Sequence, residues 1–287
     1  MPFLACCNSE QTVKQKSDFR RLHEQEGCFL IPNPWDRGTA RILASLGYSA
    51  LATTSVGLAF ALGQHVGQVS QKATLAHCRD LVAAPPPLPV SADLEKGFGD
   101  SPQSCAQTIQ AAATTGLVGG SIEDHTGEKS DPIYSFDLAV ARIGTACVAR
   151  DALKTDFVLT ARCENFLWER PDLRDSIRRL QAFEAAGADV LYAPGLHDLE
   201  TIKTVCRNVI KPVNVVMGMP GAVFDLTQLA EAGVKRVSVG SALARLALAR
   251  LALVAFVTGA REMIEDGSFH FGDRALEFAK IETHFAP

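Results

Sequence analysis

The sequence predicts a (β/α)8 barrel of the TIM-barrel class that occupies residues 1–287 as a single domain. Short apolar, β-branched runs alternate along the chain with helical segments, which is typical of a parallel sheet. Eight such runs are present, and this number fits a closed barrel better than an open doubly wound sheet. The length of 287 residues and the hydrophobic content of 47% suit one barrel of about 250 residues with a large core.

The eight predicted strands are short, apolar segments bounded by glycine, proline and other turn-forming residues. Their spacing leaves room for a helix between most successive pairs. They cover residues 29–34, 49–54, 88–94, 116–123, 157–162, 189–193, 213–217 and 236–239.

The segments between the strands carry helical periodicity and clear end signals. Asp36 and Asp225 stand where N-caps are expected. Gly47, Gly187 and Gly233 follow helical runs and are predicted to end them. The clearest predicted helices cover residues 37–46, 103–113, 173–186, 199–208 and 226–232.

The chain extends beyond the barrel at both ends. Residues 8–27 are predicted to form a polar helix in front of the first strand. Residues 242–260 form a helix that is apolar on more than one face, unlike an ordinary surface helix. Arg245 and Arg250 interrupt its apolar run, whereas a membrane span needs about 20 largely uncharged residues. We therefore expect no membrane span, and we expect the barrel or another subunit to cover this helix.

Composition excludes several classes of function. The net charge of −4, with no basic block, argues against nucleic-acid binding. The eight cysteines are scattered without C-x-x-C spacing, and the start of the chain lacks the basic region and length of a signal peptide. We interpret the cysteines as reduced thiols in a cytoplasmic protein. No dinucleotide-binding, P-loop or nucleophile-elbow motif is present.

Polar residues follow the first five predicted strands, where a barrel of this class has its active site. They are Asn33, Trp35 and Asp36; Thr53, Thr54 and Ser55; Asp93 and Glu95; Glu123, Asp124 and His125; and Arg162, Glu164 and Asn165.

Three of these acids form a candidate metal site. Asp93 and Glu95 lie two residues apart, so both point the same way from an extended backbone. With Glu123 from the next strand they make an all-oxygen site, which suits Mg²⁺. A surface acid pair followed by a turn remains the alternative.

Arg162 is a candidate for binding an anionic substrate, because a guanidinium group binds carboxylates through two parallel hydrogen bonds. Glu164 shares its face and could orient it, although a structural Arg–Glu pair is the alternative. Thr54 and Ser55 could hold a carboxylate, or they could cap a helix. His125 has no zinc-ligand spacing to another histidine, and loop histidines are more often structural than catalytic.

Five motifs together resemble the isocitrate lyase/phosphoenolpyruvate mutase superfamily. The Asp-x-Glu-x-Gly-aromatic-Gly element is the most specific, and the resemblance extends over residues 29–251. The motifs are Asn33-Pro-Trp-Asp36, Thr53-Thr-Ser-Val-Gly57, Ala92-Asp-Leu-Glu-Lys-Gly-Phe-Gly99, Ile122-Glu-Asp124 and Thr160-Ala-Arg-Cys-Glu-Asn165.

The resemblance implies a barrel enzyme that uses Mg²⁺, with Mn²⁺ as a substitute, to act on small α-keto acids. It implies that Asp93, Glu95 and Glu123 serve the metal and that Arg162 binds the substrate carboxylate. Thr54 and Ser55 match the segment whose backbone binds the keto-acid end. Members usually form homotetramers in which the last helix is exchanged between neighbours.

Further substrate contacts and the proton donor are less well matched to the superfamily. Asn33 and Trp35, in the first motif, are candidate substrate-binding residues, and Lys129, His125 and Glu164 are the candidate general acids or bases.

Two segments depart from the superfamily pattern. Isocitrate and methylisocitrate lyases carry a catalytic cysteine in the loop after the fourth strand, whereas His125-Thr-Gly-Glu-Lys-Ser-Asp131 has none. Phosphonomutases have lysine and asparagine there, and Lys129 and Asp131 match those positions imperfectly. Val66 stands where many members place an acid that helps to hold metal-bound water.

The sequence-based function is therefore a Mg²⁺-dependent carbon–carbon lyase that acts on a small α-keto or 2-hydroxy acid through a metal-stabilised enolate. A phosphonomutase, a phosphonopyruvate hydrolase and an oxaloacetate hydrolase or decarboxylase remain alternatives. A non-catalytic keto-acid-binding protein is the alternative from another class.

Overall fold

Eight parallel strands form one sheet in the computed structural model, which describes residues 17–221 and 223–285. Each strand lies inside one of the eight predicted segments and is shorter than that segment. The strands are β1 (Phe29–Ile31), β2 (Leu51–Ala52), β3 (Val90–Asp93), β4 (Gly119–Glu123), β5 (Val158–Arg162), β6 (Val190–Tyr192), β7 (Val213–Val216) and β8 (Arg236–Ser238).

The sheet curls into a nearly closed barrel. Successive strands pair in parallel from β2 to β8, and β8 pairs with β1. At the remaining seam, the Ala52 amide donates a hydrogen bond to the Pro32 carbonyl at 3.0 Å. The predicted (β/α)8 fold is therefore confirmed.

Helices alternate with the strands, and the end signals have their predicted roles. Asp36 and Asp225 each cap a helix through a reciprocal capping box. Gly47, Gly187 and Gly233 have φ values of 87°, 105° and 95°, which end a helix without the steric penalty of a Cβ atom. The helices are α1 (Asp18–Leu22), α2 (Arg37–Ser45), α3 (Ser55–Ala61), α4 (Gln71–Val82), α5 (Pro102–Ala113), α6 (Phe136–Asp151), α7 (Leu173–Ala185), α8 (Leu199–Arg207) and α9 (Leu226–Glu231).

Helix α1 covers the N-terminal end of the barrel. Phe19 is fully buried and packs in a cluster with Ile31, Ala50, Val158 and Val190. The predicted helix over residues 8–27 is thus only partly described, because residues 1–16, including both N-terminal cysteines, lie outside the described residues. In the described part of the chain, α1 ends at Leu22, earlier than predicted. Gly27, at a φ of 71°, then turns the chain toward β1.

Two arginines and two aspartates join α1, β5, β6 and α6 at this end of the barrel. Arg20 binds Asp156 at 2.8 Å and Asp189 at 2.7 Å, and Arg150 also pairs with Asp189. Asp189 in addition accepts a hydrogen bond from the Leu159 amide at 2.8 Å. We call Arg20, Arg150, Asp156 and Asp189 the basal network.

The C-terminal helical segment Ala242–Asp266 extends away from the barrel. In the described part of the chain it is the one helix that has the length and apolar composition of a membrane span, which by itself is weak evidence for one. Leu251, Val254 and Phe256 are 64%, 59% and 74% exposed. The barrel therefore leaves most of this helix uncovered beyond its first turns, and another subunit remains the predicted cover for that part.

Candidate active site

Five charged residues meet at the C-terminal ends of β3, β4 and β5. Asp93 and Glu123 end their strands, Arg162 ends β5, and Glu95 and Glu164 follow two residues after Asp93 and Arg162. We call this group the mouth cluster. Parallel strands bring their carboxyl ends to one edge, so residues far apart in sequence become neighbours there.

Arg162 lies at the centre of the mouth cluster. Its Nη1 is 2.8 Å from Glu123 Oε1 and 3.2 Å from Asp93 Oδ1, and its Nε donates to Glu164 Oε1 at 2.8 Å. The guanidinium group also lies over the ring of Tyr192, at 4.9 Å from the ring centroid. Nη2 makes no hydrogen bond to any described residue of the site, so this edge of the guanidinium group remains available to a ligand.

Asp93 joins Arg162 to the end of β2. Its Oδ2 accepts hydrogen bonds from Ser55 Oγ at 2.8 Å and from the Ser55 amide at 3.2 Å. The Asp93 amide in turn donates to Thr53 Oγ1 at 2.9 Å. One carboxylate therefore links the predicted metal, substrate and arginine positions.

Glu95 follows Asp93 in a backbone conformation that few side chains adopt. Its φ is 49°, and Gly97 and Phe98 also have positive φ values of 80° and 55°. The buried Arg142 of α6 holds this turn, because its guanidinium group donates to the carbonyls of Lys96, Gly99 and Asp100. Strained backbone of this kind persists only where its surroundings enforce it, as at many functional sites.

The mouth cluster has an excess of negative charge, with four carboxyl groups around one guanidinium group. Burial, reinforced by the charge of Asp93, raises the pKa of Glu95 to about 7. Burial also raises the pKa of Glu123 and of Glu164, even though Arg162 opposes the shift. Burial by itself would lower the pKa of Arg162, but Glu123, Glu164 and Asp93 together raise it. In the absence of a further cation, Glu95 therefore titrates near neutral pH.

The donor chemistry fits a water-rich Mg²⁺ site. Among residues 17–221 and 223–285, no three His, Cys, Asp or Glu side chains converge closely enough to enclose a metal ion. Mg²⁺ is commonly held by one or two carboxylates and keeps several waters, and the excess negative charge here calls for a cation. Asp93, Glu95 and Glu123 would supply the oxygen ligands, directly or through water.

Two predicted substrate-binding residues use their side chains to shape the site. Asn33 donates to the Thr53 carbonyl at 2.9 Å and accepts from the Val239 and Gly240 amides at 3.0 and 2.9 Å, so it ties together the ends of β1, β2 and β8. Thr54 caps α3 by accepting a hydrogen bond from the Gly57 amide. Any contact of Thr54 with substrate would therefore use its backbone.

Trp35 lies to one side of the mouth cluster. It lines an apolar pocket of about 120 Å³ together with Phe60 of α3 and with Ala244 and Leu248 of the C-terminal helix. Trp35 therefore packs against apolar side chains in this structure, away from the position predicted for substrate.

The loop after β4 carries the other two candidate acid–base residues. His125 stacks on Trp168 with ring centroids 3.8 Å apart, and its Nε2 is buried without a hydrogen-bond partner among the described residues. Burial, with Lys96 and Arg162 nearby, lowers the pKa of His125 to about 4. Lys129 is exposed on the same loop, and Val66 is 53% exposed after α3, so neither lies in the mouth cluster.

Glu164 likewise has one buried oxygen, Oε2, without a partner in the described structure. Its position depends on Asp124, which accepts from the Glu164 amide at 2.8 Å and from Arg179 at 3.1 Å. Burial raises the pKa of Asp124 to about 7 against these two donors.

Tyr192, Arg142 and Arg236 are functional candidates that sequence reasoning did not single out. Tyr192 and Arg236 lie inside predicted strands, and the two-residue period places Arg236 on the same face as Ser238, whereas Tyr192 shares its face with the apolar Val190. For Arg236, that period was the available signal. The sequence offered no such signal for Arg142, because an arginine in a helix resembles an ordinary surface residue.

Comparison with known proteins agrees with the fold. Residues 19–257 match the family model for phosphoenolpyruvate phosphomutase, and this match covers most of the chain. The chain therefore belongs to the phosphoenolpyruvate mutase family, within the superfamily that the motifs resemble.

Several relatives place the chain within that family. A Burkholderia cenocepacia J2315 crystal structure, described provisionally as a lyase/mutase, is 55% identical with a TM-score of 0.85, and the match covers 94% of each chain. The structure of 2,3-dimethylmalate lyase is 25% identical with a TM-score of 0.81 over 93% of each chain. Oxaloacetate decarboxylase of Paraburkholderia xenovorans LB400 is 29% identical, over 79% of this chain and 76% of its own.

Proposed function

We propose that the protein is a Mg²⁺-dependent carbon–carbon lyase that acts on a small α-keto or 2-hydroxy acid. The observation that carries the proposal is the mouth cluster. In it Arg162 binds Asp93, and Asp93 accepts a hydrogen bond from the Ser55 hydroxyl. This arrangement places an anion-binding group beside an acidic, cation-binding group at the usual catalytic end of a barrel.

The substrate carboxylate would bind the open edge of Arg162. Its Nε and Nη1 are held by Glu164, Glu123 and Asp93, which fixes the plane of the guanidinium group before substrate arrives. A preoriented guanidinium group loses little conformational entropy when it forms its next hydrogen bond. The Ser55 amide donates to Asp93 Oδ2, so it would become a further donor for substrate only once Asp93 turns towards a cation.

A bound Mg²⁺ or Mn²⁺ would act as a Lewis acid on the keto oxygen of the substrate and stabilise negative charge there by several kcal/mol. A cation at Glu95 and Glu123 would oppose the rise in their pKa values that burial causes. Tyr192, buried over Arg162, helps to exclude water from this region.

His125 and Glu164 are the candidates for proton transfer. Each has a buried polar atom with no partner in the described part of the chain, and such atoms are costly unless a ligand satisfies them. Burial raises the pKa of Glu164 even though Arg162 opposes the shift, which favours a role as proton donor. The lowered pKa of His125 makes it a neutral base or hydrogen-bond partner.

Decarboxylation of a four-carbon keto acid is the form of carbon–carbon cleavage that this site favours. When carbon dioxide leaves, the electron pair of the broken bond moves to the keto oxygen, and one proton then completes the product. No acid is needed at the departing fragment, which agrees with a loop after β4 that has no cysteine. The 29% identical oxaloacetate decarboxylase supports the same class of reaction.

The test measures pyruvate release from oxaloacetate, with Mg²⁺ or with a chelator, for the wild type and for Asp93→Asn. The variant is the matched control, because Mg²⁺ alone promotes decarboxylation of oxaloacetate. We expect Mg²⁺-dependent release above the rate of the variant. A 2-hydroxy dicarboxylate and phosphonopyruvate are assayed in parallel.

Each outcome distinguishes one alternative. Acetate and oxalate from oxaloacetate would indicate a hydrolase, and phosphate or phosphoenolpyruvate from phosphonopyruvate would indicate phosphonate chemistry. Binding of oxalate with no turnover of any substrate would indicate a keto-acid-binding protein and contradict the lyase proposal.

We also propose that the chain is a single domain that forms a cytoplasmic homotetramer in which the C-terminal helix packs on a neighbour. The exposed Leu251, Val254 and Phe256 form an apolar surface that monomers rarely present to water. Light scattering of the wild type and of Phe256→Glu tests the assembly. A stable wild-type monomer at micromolar concentration would rule it out.

A further inference from the structure

The interior of the barrel beneath the mouth cluster is polar. Barrels of this class are usually filled by layers of valine, isoleucine and leucine. Here a cavity of about 60 Å³ lies along the axis, with room for a few waters or one small anion. Its polar lining, apart from the mouth cluster, consists of Asn33, Thr53, Ser91, Ser121, Tyr192, Asn214, Arg236 and Ser238.

Arg236 forms the floor of this cavity and is almost completely buried. Its guanidinium group donates to Asn214 Oδ1 at 2.8 Å and to Thr160 Oγ1 at 2.9 Å, and its Nη1 is 3.3 Å from His23 Nε2. All three partners are neutral acceptors. No carboxylate pairs with Arg236 in residues 17–221 or 223–285.

His23 cannot balance this charge. Its Nδ1 is 2.9 Å from the Phe19 carbonyl, so Nδ1 carries the proton and Nε2 accepts from Arg236. Burial and the charge of Arg236 lower the pKa of His23 to about 3, so the ring is neutral. Burial lowers the pKa of Arg236 only to about 10, so the guanidinium group keeps its charge at neutral pH.

Arg142 shows how the chain accommodates another buried arginine. Arg142 donates to three backbone carbonyls and lies over the ring of Tyr134, at 4.2 Å from the centroid, so its charge faces concentrated negative potential. Arg236 instead faces an open cavity. A buried charge without a counter-charge is strongly destabilising, so a compensating anion is the expected occupant.

We propose that the axial cavity binds one small anionic group, a halide or a carboxylate, on Arg236. Access is from the active-site mouth, because α1 covers the opposite end of the barrel with Phe19. Thr160, which contacts Arg236, precedes Arg162 by two residues in β5, so this contact lies about 6.6 Å below Arg162 along the strand.

The anion has two sources that experiment can separate. It can be an inorganic ion from solution, or it can be the second carboxylate of a short dicarboxylic acid whose first carboxylate lies near Arg162. The size of the cavity excludes bulky acids in either case.

Thermal unfolding in the presence of a chelator provides the test, because it depends neither on metal nor on turnover. Sodium chloride, malonate and propionate are each compared with sodium gluconate, which is too large for the cavity, at constant ionic strength. We expect a saturable rise in Tm of roughly 2–5 °C for the wild type. A response to chloride identifies an inorganic ion, and a response to malonate but not to chloride or propionate identifies the dicarboxylic acid.

Arg236→Met should abolish the response, and Arg150→Met in the basal network is the control that should retain it while losing another largely buried arginine. If Arg236→Met does not fold, crystals of the wild type soaked in bromide and in malonate test whether the cavity binds an anion. Either ligand would lie against the Arg236 guanidinium group. Equal Tm values in all four salts with an empty cavity in both crystals would overturn the proposal. So would a response that survives in Arg236→Met.

Discussion

The two ends of the barrel use the same charged groups in different proportions. The basal network has two arginines and two aspartates, and each aspartate binds an arginine. The mouth cluster has four carboxyl groups around Arg162 alone. A balanced network needs no further ion and serves the fold. In the mouth cluster, burial raises the pKa values of Glu95, Glu123 and Glu164, and the excess of carboxyl groups suits a ligand of opposite charge.

The largest expected effect comes from removing the acid that joins the mouth cluster to Ser55. Asp93→Ala should lower kcat/KM about 10³-fold and abolish Mg²⁺ binding. The fold should survive, because the substitution reduces the excess of negative charge. Activity assays, calorimetry with Mg²⁺ and circular dichroism measure these three quantities. Unchanged Mg²⁺ affinity would show that Asp93 is not a metal ligand.

Arg162 tests the other charge of the mouth cluster. Arg162→Ala should lower kcat/KM about 100-fold, and Arg162→Lys should lower it less, because the ammonium group keeps the charge but loses the planar arrangement of donors. The KM for a carboxylate substrate should rise in both variants. Titration with oxalate and Mg²⁺ is the direct measurement, and an oxalate affinity that is indifferent to Arg162 would contradict this role.

The basal network should show the opposite behaviour. Arg150→Met leaves Asp189 with Arg20 as its one arginine, so the free energy of unfolding should fall by roughly 2–3 kcal/mol. Urea denaturation measures this loss. Steady-state kinetics at a temperature where the variant remains folded should give kcat and KM values close to those of the wild type. A large loss of kcat would show that the two ends of the barrel are coupled.

Glu95→Gln sharpens the comparison with a gain in stability. The pKa of Glu95 is raised from 4.5 to about 7 in the folded state, so the folded protein binds more protons than the unfolded chain between these values. The contribution of Glu95 to stability is therefore present at acid pH and is lost as pH rises through about 7.

At pH 8 without metal, the free energy of unfolding of Glu95→Gln should exceed that of the wild type by about 1 kcal/mol. This value is reduced to allow for the partial exposure of Glu95. At pH 4 the two proteins should have similar Tm values. A variant that is less stable at pH 8 would show that Glu95 makes a favourable contact in the metal-free state.

The sequence was sufficient for the barrel because the relevant signals are local. Alternating apolar runs and helix caps such as Asp36 and Asp225 depend on residues within a few positions of each other. The same pattern places Asp93, Glu123 and Arg162 at strand ends, and the geometry of a parallel barrel then brings them to one edge. The boundaries were less accurate, because the strands stop where neighbouring strands no longer pair.

Tertiary structure decided what each polar residue does. Arg162 and Asp93 are 69 residues apart, and nothing local indicates that they bind each other. Asn33 looked like a substrate ligand, but its amide is engaged by three backbone groups from distant strands. Arg236 resembled an ordinary strand residue until the barrel enclosed it among neutral partners. Local pattern determines which face a side chain occupies, whereas charge balance and hydrogen bonding depend on groups that only the closed barrel brings together.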